Sequence, residues 1–135
     1  MTLPDEALRW TAAERELAAH LLEGRTVVVN VRRGGPHRRL VRWLVEQGLV
    51  TYVGHAGPRH GWPESDFANP FLREPGLDLP EMLRRYRGWL AEQPDLLARI
   101  SDGELTGRAL GCWCVPQHAC HAQILRDYVE RGGDR

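Results

Sequence analysis

The run Thr26-Val-Val-Val-Asn-Val31 constrains the fold of this chain more than any other segment. It is β-branched and almost wholly apolar, without polar alternation, so the strand it forms must be covered on both faces. Such strands belong to parallel sheets enclosed by helices, and parallel strands are joined only through crossover connections. The neighbouring segments supply the helices. Thr11 to Glu23 carries Ala12, Leu17, Ala18, Leu21 and Leu22 at helical spacing, with Thr11 and Glu14 placed as a capping box and Gly24 as the stop. Gly34-Gly35-Pro36 opens a second helix, His37 to Gln47, with Leu40, Val41, Leu44 and Val45 as its stripe. A strand at 49–53, helices at about 80–92 and 94–100, a strand at 108–114 and a helix from His121 follow. This order predicts an α/β fold, a small Rossmann-like three-layer domain with a short, mostly parallel sheet. The 135 residues read as a single domain, with 1–24 as an N-terminal helical extension and 26–131 as the core.

Composition mainly excludes. Formal net charge is zero, so no global field draws the chain to nucleic acid or an anionic membrane. All 18 Lys and Arg positions are arginine, a bias that a GC-rich genome explains and that removes Schiff-base and P-loop lysine chemistry. No stretch has the apolar length of a membrane span, and the first residues lack the pattern of a signal peptide. Three clustered cysteines do not make a disulfide framework. The expectation is a cytoplasmic protein.

All three cysteines fall in Gly111-Cys112-Trp113-Cys114-Val115-Pro116-Gln117-His118-Ala119-Cys120-His121, at a strand-to-helix turn. Residues two apart in a strand share a face, so Cys112 and Cys114 are expected to converge, with Trp113 turned away. Cys120 and His121 would return over them. Two chemistries use that set. Three thiolates with an imidazole from His121, or alternatively His118, form the ligand set of a closed zinc site, although Cys-x-Cys lacks the Cys-x-x-Cys knuckle spacing. Alternatively Cys120, at a helix N-terminus, is a thiolate nucleophile with His121 as its base.

Asn30 and Arg32 follow the first strand, at the edge where open α/β sheets bind ligands, and Arg32-Arg33-Gly34-Gly35 offers guanidiniums beside an accessible backbone. Gly54 to Gly76 is a long Gly/Pro loop, and loops of that length in small domains tend to be functional. It carries His55, Arg59, His60 and Asp66 as acid, base or anion contacts, and Trp62, Phe67 and Phe71 either as plugs under the loop or as stacking surfaces. Asn69-Pro70 reads first as a turn device. Arg84, Arg85 and Arg87 with Glu81 and Glu92 read as a solvated helix face.

Leu110-Gly-Cys-Trp-Cys-x-Pro-x-x-x-Cys-His, with Ala68-Asn69-Pro70-Phe71, Tyr52-Val53-Gly54, Asn30-x-Arg32 and Tyr86-Arg87-Gly88-Trp89-Leu90, resembles the bacterial and phage family called domain of unknown function 4326. The likeness spans about Thr26 to Val129. The chain departs from that pattern by His55 in place of an arginine, Ala68 in place of a glycine, one extra residue before Cys120 and an added helix at 37–47. A more distant likeness is to domain of unknown function 488, which also ends its last strand-turn-helix in Cys-His. The resemblance implies a fold and a site but no reaction.

Together these readings favour a thiol- or metal-dependent protein that binds or processes a nucleotide- or nucleoside-like anionic small molecule. Its ligand residues would be Asn30, Arg32, Gly54, Asn69 and Trp113, its reactive groups Cys120, His121 and His55, and zinc its one expected cofactor. The rivals are a non-enzymatic zinc-stabilised binding module and a nucleic-acid-associated accessory protein, the latter disfavoured by zero net charge.

Overall fold

The structure, a computed structural model, describes residues 2–57, 59, 61–72, 74–115 and 118–132. Among these, a 3-10 helix at Asp5–Arg9 precedes α1 (Ala12–Leu22), β1 (Val27–Asn30), α2 (Arg38–Glu46), β2 (Val50–Tyr52), α3 (Leu79–Ala91), α4 (Pro94–Ser101), β3 (Ala109–Cys112) and α5 (His121–Gly132). The sheet is all parallel in the order β1-β3-β2, so the cysteine strand lies at its centre. Val29 and Tyr52 both sit opposite Gly111, where a Cβ would come within 2.7 Å of a Val31 methyl. The glycine lets the side chains of the outer strands close over the central one.

The sheet divides the core as the doubly apolar β1 requires. Val27, Val29, Val31, Tyr52 and Ala109 pack with Trp10, Ala18, Leu21, Leu40 and Leu44 under α1 and α2. Val28, Val53, Leu110 and Cys112 pack with Tyr86, Leu90, Ile100 and Leu125 under α3, α4 and α5. This is the expected α/β layering. The Thr11 hydroxyl accepts from Glu14 N–H and the Glu14 carboxylate from Thr11 N–H, which completes the capping box. The other Glu14 oxygen accepts from Leu40 N–H at 2.8 Å and ties α1 to the start of α2.

The strand expected to reach residue 114 ends at Cys112, because β1 runs out beside it. Buried Asn30 takes over where the ladder stops: its amide donates to the carbonyls of Val115 at 2.7 Å and Trp113 at 3.3 Å, and its Oδ1 accepts from Arg32 N–H. Its own N–H donates to His37 Nδ1 at 2.9 Å. Among the described residues, no helix is long and apolar enough to cross a membrane.

Candidate functional site

The three sulfurs gather on the α5 side of the sheet edge. Cys112 is buried by the strand alternation that puts Leu110 on the same face, and Cys120 is buried at the foot of α5. Cys114 is only half-buried, because it lies past the strand end. The shared face expected from strand alternation therefore does not place it; the turn held by Asn30 does. The Cys120 side chain hydrogen-bonds both other cysteines and lowers their pKa values, Cys114 to about 7 with help from the nearby Arg32 charge. The same bonds, and burial, push the Cys120 thiol strongly upward. Cys120 thus keeps its proton and donates it, and the thiolate character falls on Cys114. The helix-terminus effect invoked for Cys120 is opposed here by burial and by the two sulfurs that face it.

His121 Nε2 donates to the Val53 carbonyl at 2.6 Å, which leaves Nδ1 facing Cys120 Sγ at 3.6 Å. Burial lowers its pKa to about 4, so the ring is neutral and its bare Nδ1 lies against the Cys120 sulfur. Tyr86 meets the ring edge-on at 5.0 Å and donates its hydroxyl to the Phe67 carbonyl, which fastens the long loop to α3. His118 is exposed. Among the described residues no group of three or more His, Cys, Asp and Glu side chains is arranged to hold a metal ion. Nε2 is committed to a carbonyl and Nδ1 faces the sulfurs, as in a metal-ligating histidine, so Cys112, Cys114, Cys120 and His121 are the residues that would hold a zinc ion, although here the side chains are hydrogen-bonded to one another.

The loop residues serve mainly to hold the loop. His55 Nδ1 meets Glu64 Oε2 at 2.7 Å and Nε2 donates to the Asn69 carbonyl at 2.7 Å. Both partners are acceptors, so the ring is held from both nitrogens. Asn69 is buried and its Oδ1 accepts from Phe71 N–H, the turn device expected. Gly54 admits the Tyr52 hydroxyl, which a Cβ would meet at 2.6 Å. Trp113 Nε1 donates to that hydroxyl, which donates onward to the His55 carbonyl. Phe67 is a buried plug, and Asp66 pairs with Arg99 at 2.9 Å. His60 and Pro116 lie outside the described residues.

On the opposite, α2 side of the same edge lies a cleft of about 650 Å³ whose described lining residues are six arginines, residues 9, 32, 33, 38, 39 and 42, with Trp10, Val31, Val41, Trp62 and, as the one carboxylate among them, Glu6. Trp62 stacks on Tyr52 with ring centroids 5.2 Å apart and an interplanar angle of 23°. None of the six arginines is ion-paired among the described residues, whereas Arg84, Arg85 and Arg99 on α3 and α4 each hold a carboxylate, as a solvated face should. Arg32 stands between the two sites, lining the cleft and acting on Cys114. Of the residues expected to share one pocket, Arg32 reaches this cleft, Asn30 is buried behind it, and His55 and Asn69 belong to the loop anchor. Cys120 borders a separate cavity with Pro80, Leu83 and Ile124.

Sequence reading missed Arg9, Arg38, Arg39 and Arg42. The available signal was Arg38, Arg39 and Arg42 in a helix whose first turn has no acidic residue. The model of the family called domain of unknown function 4326 matches residues 20–131. No curated protein and no solved structure matches the chain.

Proposed function

We propose that this chain, which belongs to the domain of unknown function 4326 family, binds a nucleotide-like anionic small molecule in the arginine cleft, beside the Cys/His cluster. The observation that carries the reading is the set of six guanidiniums around one cavity, none with a carboxylate partner among the described residues. Like charges held that close repel one another, and an anion in the cleft offsets that cost while accepting bidentate hydrogen bonds. A cavity of about 650 Å³ lies within the range of small-molecule sites. Trp62, backed by Tyr52, provides an aromatic wall on which a base can stack. The cleft lies off the C-terminal end of β1, where open α/β sheets take ligands. Arg32 gives the ligand a route to Cys114: an anion bound there weakens the charge that favours the thiolate.

Titration calorimetry with a panel of nucleotides tests the reading. Arg32→Ala should weaken binding by about tenfold or more, and Trp62→Ala by a similar factor, while unfolding free energies stay within about 1 kcal/mol of wild type. Equal binding by Arg32→Ala would refute it. Metal analysis of protein purified without added metal, with thiols counted in the same sample, separates it from the metal-module rival. About one zinc per chain with no reactive thiol would favour that rival.

A further inference from the structure

The electrostatics of the cleft identify the anion more closely, and this step rests on the nucleotide reading above. Six arginines less one glutamate leave an excess of five positive charges around one cavity. The whole chain has formal net charge zero, so that excess is local and the remaining surface is acidic to the same extent. The arrangement is unfavourable without a ligand. Arg38 and Arg42 are four apart on α2, where like charges repel. Arg38 and Arg39 also occupy the first turn, where the helix dipole disfavours cations and no acidic residue compensates. Arg39 donates to the Arg9 carbonyl at 2.9 Å, which joins the α2 wall to the N-terminal wall and holds the charges together.

The geometry points to a free nucleoside di- or triphosphate, taken without a bound magnesium ion, as the occupant of this cleft. Two or three linked phosphates carry about three to four negative charges near neutral pH, which offsets most of the local excess of five, while a monophosphate carries about two at most. A magnesium complex removes two of those charges, and among the described residues Glu6 is the one carboxylate lining the cleft that could hold the ion's water shell. The guanidiniums therefore do the neutralising that a metal does elsewhere. A nucleic-acid strand matches less well, because its backbone continues past the cavity onto surface that is acidic on balance.

Titration calorimetry of the full chain with the mono-, di- and triphosphates of adenosine and of uridine, inorganic triphosphate and a short oligothymidylate decides the matter. The titrations are run in chelator and repeated with magnesium. Affinity should rise about tenfold with each added phosphate and fall several-fold when magnesium is present. Arg42→Ala, checked for folding by circular dichroism, should cost the triphosphate at least about tenfold and the monophosphate less. Equal affinity for mono- and triphosphates overturns the polyphosphate assignment and leaves the nucleotide reading in place. Tightening by magnesium overturns the metal-free form. An oligothymidylate that binds more tightly than any nucleotide makes the cleft a nucleic-acid surface and overturns the assignment. Binding of none of the probes removes both the assignment and the reading beneath it.

Discussion

Cys114 combines partial exposure with a thiol pKa near 7, while Cys120 is buried with its proton held in place by the two sulfurs it bonds. The chemistry of the cluster is therefore unequal. Iodoacetamide at neutral pH should alkylate Cys114 first, with Cys112 and Cys120 reacting only after denaturation, and Cys114→Ser should abolish the fast phase. Peptide mapping that finds Cys120 labelled first would reject this assignment. The cluster itself was legible in the sequence, because three cysteines within nine residues cannot be far apart. Which of them carries the charge was not. That depends on where the turn after β3 puts Cys114, a turn whose Trp113 and Val115 carbonyls are held by Asn30, more than eighty positions away.

At the scale of elements, the joint between α1 and α2 depends on one buried carboxylate. Glu14 accepts from Thr11 N–H with one oxygen and from Leu40 N–H with the other. Glu14→Ala strands both donors, and urea denaturation should show a loss of roughly 2–4 kcal/mol. Glu14→Gln keeps one acceptor oxygen and should lose less; equal losses for the two variants would argue against the shared-carboxylate account. The capping box was visible at Thr11 and Glu14 because it is local. The second bond was not, since a Glu three residues after a cap gives no sign that another helix starts beside it. In the same way, strand alternation placed Cys112 but not Cys114, because the strand ends with its neighbour β1 rather than with its own sequence.

Across the whole molecule, two buried histidines link folding to pH. Burial lowers the pKa of His37, against the opposing pull of Glu14, and burial lowers that of His121 to about 4. In the unfolded chain both titrate near about 6.5. Above that pH both states are neutral and the histidines cost nothing. As pH falls below it the unfolded chain takes up protons that the folded chain refuses, so stability drops until the folded values are reached. The His121 share approaches roughly 3 kcal/mol by pH 4. Denaturant midpoints should fall between pH 6.5 and 5, and the decline should be shallower in His37→Gln, whose amide oxygen can still accept from Asn30 N–H. An unchanged slope in that variant would mean His37 is not part of the linkage.

The sequence by itself determined the layered α/β fold, the parallel sheet, the helix starts and the family, because each rests on local pattern: a doubly apolar strand, stripes at helical spacing, caps and a cysteine run. Tertiary structure alone decided the arginine cleft. Arg9 comes from the N-terminal 3-10 helix, Arg32 and Arg33 from the turn after β1, and Arg38, Arg39 and Arg42 from α2. In the sequence each resembles the paired arginines of α3, since a guanidinium's environment depends on which carboxylates the fold brings near it. On α3, Glu81 lies three and four residues before Arg84 and Arg85 and pairs with both. Around the cleft no carboxylate among the described residues pairs with any of the six, and only folding brings those charges to one place.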